Sequence, residues 1–250
     1  LVIEIPKKIH SLLGDPPVHV LKIPVLPYLD DPEVEIVMNN DNADVTMFSK
    51  VESAQIRYAF GDDGGALANF VDYKGSFRVD RPLMLNFQSY AEGRQSSRMV
   101  TVPIEILKEK NGLMKETFLG KWENCDQMIM GQPIEQTVSF DFSIDESRES
   151  DFGHSFKGYL KIEEDGTYEF QTTSDDGSKL SIDGLPIVDN DGLHGRETVS
   201  GEIPLRAGLH VIKVLYFERG GQESLDVKWR GPGFDWRSIP SFKLFRTNDL

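Results

Sequence analysis

Apolar and polar residues alternate along most of this chain. In FKGYLKIEEDGTYEFQTTS, Leu160 and Ile162 fall on one face and Tyr159, Lys161 and Glu163 on the other. That period of two is what a half-buried strand demands. After Asp165-Gly166 the apolar face resumes with Tyr168 and Phe170. Asp-Gly predicts a hairpin there, because glycine accepts the positive φ of a tight turn. Asp183-Gly184 in KLSIDGLPIV repeats the device, and LHVIKVLYF and SLDVKW predict two longer strands. Helical periodicity is nearly absent. Short strands punctuated by Gly, Asp and Asn predict an all-β protein made of sandwiches.

The pattern divides into three pieces. Residues 1–28 hold LVIEIP and VHVLKIPVLPY, two strands joined by a Pro-rich link, which read as the last strands of a preceding domain. Residues 30–107 hold EVEIVM, VTMFS, AQIRYAF, LMLNFQSYAE and SRMVTVPIEI, enough for a small sandwich. The polar KEKNG at 108–112 suits a boundary, and residues 112–250 form a larger sandwich. The expected architecture is two consecutive β-sandwich domains. The first residues read as a strand already in progress, so the chain is expected to be a piece of a longer protein whose leader lies outside it.

Composition narrows the partners. Of 250 residues 39% are hydrophobic, enough for packed cores. The formal charge is −14, with acid in excess in both halves. Such a surface repels phosphate backbones and anionic lipid, so no nucleic acid is expected as a partner. A neutral sugar or a metal cation suits it better. No apolar run is long enough to span a bilayer, and no membrane insertion is expected. Cys125 is the single cysteine, so no disulfide forms within the chain, and it reads as a small buried hydrophobe.

One stretch asks for chemistry. TSDDGSKLSIDG places Asp175 and Asp176 side by side before Gly177. An ordinary turn needs one Asp and a Gly. Two adjacent carboxylates repel unless water separates them or a cation sits between them. Calcium is a hard cation that takes several oxygen ligands, and carboxylates supply both oxygen and charge. The pair reads either as a metal or sugar site or as plain turn chemistry. Trp229 alternates with Leu225 and Val227 and belongs to a core. Trp236, in the polar GPGFDWRSIP, is the candidate platform for a sugar ring, although packing under its loop is the other reading.

The third piece also resembles a known family. GLMKETFLG at 112–120, the run at 156–190, SGEIPLRAGLHVIKVLYFERGG at 200–221 and WRGPG at 229–233 resemble the PA-fourteen module, named after the anthrax protective antigen. The resemblance implies a β-sandwich found in toxins, glycosidases, glycosyltransferases and adhesins. In its sugar-binding members two adjacent aspartates, joined by a cis peptide bond, hold a calcium ion that takes two sugar hydroxyls. Asp175 and Asp176 match that pair. Glu218 lies near the position of a further ligand that is asparagine in the adhesins, and Asp189, Asn190 and His194 match a loop expected to flank the same face. The middle piece, through AQIRYAFGDDGG, YKGSF and LMLNFQSYAEGRQSS, is similar to the fibronectin-type-III-like sandwich at the C-terminal side of chitobiases and hexosaminidases. LVIEIP…DPPVHVLKIPV resembles the last strands of α-L-fucosidases.

These resemblances imply a non-catalytic carbohydrate-binding region of a secreted glycoside hydrolase, extracellular or periplasmic, with an upstream catalytic domain in the same chain. Its ligand would be an oligosaccharide or polysaccharide. The expected site is Asp175, Asp176, Asn190, His194, Glu218 and Trp236, with calcium on Asp175, Asp176 and Glu218. The alternative is a structural spacer or docking module without a ligand. Neighbouring Asp175 and Asp176 suit a shared cation better than opposite faces of a sugar, and no nucleophile-elbow, P-loop, zinc or dinucleotide motif occurs in the sequence.

Overall fold

The computed structural model describes residues 27–39, 41–61, 69–144 and 150–247. Except for Pro27 and Tyr28, the first of the three pieces lies outside the described residues. The rest is nearly all β. Seven strands come first: β1 (Glu33–Met38), β2 (Ala43–Phe48), β3 (Gln55–Phe60), β4 (Val71–Asp72), β5 (Phe77–Val79), β6 (Leu83–Tyr90) and β7 (Val100–Ile104). They make a three-stranded sheet in the order β1-β2-β5 and a four-stranded sheet in the order β4-β3-β6-β7. One core joins the two sheets. Ala43, Val45 and Val79 pack with Ile56, Leu85, Phe87 and Ile104. The short β4 and β5 were not legible as strands, because two or three residues are too few to show a period.

The remaining elements are β8 (Leu113–Leu119), α1 (Cys125–Met128), β9 (Glu135–Ser139), β10 (Phe152–Ile162), β11 (Gly166–Asp175), β12 (Ser178–Ile182), β13 (Leu185–Asn190), β14 (Glu197–Leu205), β15 (Gly208–Glu218), β16 (Ser224–Gly231), β17 (Phe234–Ser238) and β18 (Leu244–Phe245). A seven-stranded sheet runs β13-β12-β15-β10-β8-β9, with β18 also on β10, and it faces a four-stranded sheet in the order β14-β11-β16-β17. Between them Phe156, Leu160, Leu180 and Val214 meet Tyr168, Phe170, Val227 and Trp229. Burying each such side chain contributes about 1.5–3 kcal/mol. On the other face of the larger sheet Leu215 and Phe217 pack with Phe118, Cys125 and Met128 under α1. Covered on both faces, the end of β15 reads as an unbroken apolar run.

The structure corrects one turn. Asp165-Gly166 does not close a hairpin, since β10 pairs with β15, β8 and β18 while β11 pairs with β14 and β16. The chain instead crosses from one sheet to the other. Asp165 accepts a hydrogen bond from the Ala207 N–H (2.8 Å). Gly166 is there for space, because a Cβ would run into the Pro232 ring. Asp183-Gly184 does close the β12–β13 hairpin, with φ of 50° and 80°, as the primed turns require.

The polar stretch before β8 is tightly fastened. Asn111 is buried. Its side-chain nitrogen donates to the Phe242 and Leu244 carbonyls (3.4 and 3.1 Å), and its Oδ1 accepts from the Lys108 N–H (2.8 Å). Asn111→Ala strands these buried groups and is expected to lose about 1–3 kcal/mol in urea unfolding. Gly201 on β14 passes so close to β13 that a Cβ would strike the Ile187 carbonyl oxygen. Gly201→Ala is expected to cost about 1–3 kcal/mol in the same measurement, as overpacking does.

Candidate functional site

Three crossings between the sheets gather at one end of the larger sandwich: residues 175–177 from β11 to β12, 191–196 from β13 to β14, and 219–223 from β15 to β16. The inward face of each strand turns polar as it approaches. On β11 the buried positions run Tyr168, Phe170, Thr172, Ser174. On β15 they run Ile212, Val214, Tyr216, Glu218. Period two thus carries Glu218 onto the core side, where it is fully buried.

Asp175, Asp176 and Glu218 each offer a carboxylate oxygen, and these oxygens lie within 4.8 Å of one another. The Asp175–Asp176 peptide is cis. Asp176 is buried and Asp175 half-buried. Asp176 Oδ1 accepts from the His194 N–H (3.1 Å) and Oδ2 from the Arg219 N–H (3.0 Å). Glu218 Oε1 accepts from the Gly220 N–H (2.6 Å) and Oε2 from the Asp176 N–H (3.1 Å). The Tyr216 hydroxyl donates to the Asp175 carbonyl (2.8 Å) and lies 3.4 Å from Glu218 Oε2. Among the described residues no ion pair reaches any of the three acids.

The electrostatics follow from this crowding. Burial, then the charge of Asp176, pushes the Glu218 carboxyl up to about 7, against the pull of its N–H donors. Burial and Asp176 also raise Asp175, while His194 and Arg196 pull the other way. Burial and Glu218 push the Tyr216 phenol up. The donor set fits calcium. All three side chains offer hard oxygen, and two oxygens bound to one ion at 2.3–2.6 Å stand at most about 5 Å apart.

A buried chain of hydroxyls supports the acids from below. Ser178 donates to Thr172 (2.8 Å) and bonds Ser174 (2.7 Å), and Asn190 Nδ2 donates to Ser174 Oγ (2.9 Å) and the Glu197 carbonyl (3.2 Å). From the side, Asp191 accepts from the Cys125 N–H (2.8 Å) and pairs with Lys179 (2.9 Å), which also reaches Asp126 (3.0 Å). Burial pushes the Cys125 thiol well up, so it acts as an inert packing group. At Gly177 a Cβ would collide with Phe217 and crowd Asp191.

The structure brings together Asp175, Asp176 and Glu218, with His194 beside them. His194 is present through its backbone. Its ring nitrogens face the Gly195 and Asn190 carbonyls (2.8 and 3.0 Å). Burial opposes its charge, yet those two carbonyls, with Glu197 and Asp176, hold its pKa above the ordinary value. Asn190 is buried beneath the acids, its amide donors engaged in the hydroxyl chain. Asp189 faces outward on β13. Trp236 is not brought to the acids. It lies on β17 under the Arg230 guanidinium, 4.9 Å from its ring centre. Arg230 stands six residues along β16 from Ser224, the partner of Asp175, about 20 Å at 3.3 Å per residue. Sequence reasoning missed Tyr216, Asp191, Lys179 and the N–H donors of Arg219 and Gly220. The alternation that marks Glu218 as inward also marks Tyr216; the others have no local signal.

Parts of the chain are similar to known proteins. A family model described as the PA14 domain matches residues 109–241. Among curated proteins, the anti-sigma-I factor RsgI3 of Acetivibrio thermocellus is 28% identical over 144 residues, covering 55% of this chain and 22% of that protein. The chain therefore spans about a fifth of that relative's length. Among solved structures, an anti-sigma factor domain-containing protein is similar with a TM-score of 0.49 and 17% identity, over 88% of this chain and 92% of that one. A PA14 sugar-binding domain from an RTX adhesin is similar with a TM-score of 0.48 and 19% identity, over 55% of this chain and 99% of that one. The family model spans more than half of the chain, and the protein belongs to the PA14 domain family.

Proposed function

We propose that this protein binds carbohydrate through a calcium ion held by Asp175, Asp176 and Glu218. The observation that carries the reading is the convergence of three carboxylates within 4.8 Å with no ion pair to any of them among the described residues. A bound divalent cation supplies the missing positive charge, and calcium's need for six to eight oxygens leaves positions for sugar hydroxyls. Family membership supports the sugar, through the members that use an adjacent aspartate pair in this way. The resemblances of the first two pieces support a wider reading, in which the module belongs to a secreted glycoside hydrolase of the α-L-fucosidase kind. There it would raise the local concentration of glycan near an upstream catalytic domain.

Two observations favour other readings. Similarity to an anti-sigma-I factor suits the same site as the input module of a regulator. The four backbone N–H groups on Asp176 and Glu218 suit a structural junction with no ligand.

Thermal melts with calcium and with chelator separate site from junction. Calcium at a hundred times its dissociation constant is expected to add about 2.7 kcal/mol, a shift of several degrees, and Asp175→Ala is expected to abolish it. Equal melts in both conditions would leave the junction reading standing. A glycan array run with calcium and with chelator then tests the sugar, with binding expected only in calcium.

The raised Glu218 carboxyl sets a pH dependence. A folded-state value near 7, above its ordinary 4.5, means that the ion-free fold holds this proton more tightly than the unfolded chain. Its contribution to stability is present below pH 4.5 and is lost as pH rises through about 7. Calcium must displace the proton, so calcium affinity measured by calorimetry is expected to rise with pH up to about 7 and then level off.

A further inference from the structure

We propose a second sugar site, on the outer face of the seven-stranded sheet, for a sugar unit that bears an acidic group, either a carboxylate or a sulfate ester. It rests on the carbohydrate reading above but not on calcium.

The period of two places its cations. Phe156 and Val214 point into the core between the sheets, so their neighbours Lys157 and Lys213 face outward, on the side where Leu215 and Phe217 lie under α1. Lys157 and Lys213 stand directly opposite each other in the β10–β15 register, which sets their Cβ atoms about 4.5–5.5 Å apart. Like charges placed so destabilise a sheet. On the same face Lys179 is matched by Asp126 and Asp191 (3.0 and 2.9 Å). Lys157 and Lys213 have no ion-pair or hydrogen-bond partner among the described residues. In a chain with 41 acidic residues against 27 Lys and Arg, they are a local reversal of charge that an outside anion would relieve.

The two lysines border a cavity of about 500 Å³, a size that suits a small ligand. Phe118, Ile129 and Pro133 give it an apolar side. Glu116, Gln136 and Ser155 give it a polar one. Gln136 Nε2 donates to Glu116 Oε1 (2.9 Å), which orients a carboxylate able to accept from hydroxyls. Glu116 lies opposite Ser155, one step along this face from Lys157, so its charge turns an acidic group toward the lysines. The cavity thus offers a partner to each part of an acidic sugar: its anion, its hydroxyls and its C–H face. Lysine acts as a point charge and serves carboxylate and sulfate alike. Lys213 is five residues along β15 from Glu218, about 16 Å at 3.3 Å per residue, and on the opposite face. The two sites are separate.

The experiment is binding by the whole chain in chelator, read by calorimetry and by backbone amide NMR shifts. The probes are a glucuronate disaccharide, the matching glucose disaccharide with a 6-sulfate, and the neutral glucose disaccharide. At least one of the two anions is expected to bind roughly tenfold tighter than the neutral sugar, with shifts centred on Ser155, Lys157 and Lys213. Which anion binds identifies the acidic group. Lys157→Gln combined with Lys213→Gln is expected to weaken that binding roughly tenfold and to melt no lower than the parent, because it removes a repulsion. Asp175→Ala is expected to leave it unchanged. Equal affinity for all three sugars, no binding of either anion, or full binding by the lysine double variant would overturn the site. Binding that needs calcium, or that Asp175→Ala abolishes, would also overturn it and return the ligand to the acid cluster. Failure of the calcium melts leaves this site untouched.

Discussion

Four backbone N–H groups from three separate crossings of the chain end on the carboxylates of Asp176 and Glu218. The far end of the larger sandwich is built around that knot. Each crossing leaves one sheet and enters the other, so its backbone groups have no ladder to join and must find partners elsewhere. Two carboxylates supply four acceptor oxygens at one point, and charge-assisted bonds to N–H groups are stronger than neutral ones. The same oxygens, with Asp175, form the acid cluster. Architecture and candidate chemistry therefore share one set of atoms.

The rest of the sandwich is arranged to make this tolerable. Along β11 the core face passes from Phe170 to Thr172 and Ser174, and along β13 from Val188 to Asn190. The apolar core grades into hydrogen-bonded hydroxyls before it meets charge, so the acids stand on a satisfied polar layer and not on hydrocarbon. Gly177 admits Phe217 and Asp191 to within touching distance, which locks the turn between the aspartates and β12.

The turns at the other end show what ordinary anchoring looks like here. Asp165 takes the Ala207 N–H alone. Asp183 takes the Val211 N–H (2.8 Å) and meets the His210 ring (2.6 Å). In each case one carboxylate serves a turn. At the acid end three carboxylates crowd together, each accepting a loop N–H, and burial raises Glu218 toward neutrality.

Strand after strand was legible in the sequence, because the period of two is a local property of the backbone and survives without knowledge of partners. The Asp183-Gly184 hairpin was legible for the same reason, its φ values being demanded by the turn itself. The adjacency of Asp175 and Asp176 announced unusual chemistry, and Glu218 entered by its likeness to a family position. Which strands pair was not legible: Asp165-Gly166 and Asp183-Gly184 look alike as dipeptides, yet one crosses between sheets and the other closes a hairpin. Nor was the place of Trp236, whose distance from the acids depends on the register of β16 and β17, or the inward turn of the Asn190 amide. The sequence alone determined what each segment prefers, through backbone sterics and the pattern of apolar positions. Only the tertiary structure decided which preferences meet, because pairing and proximity depend on contacts between residues far apart in the chain.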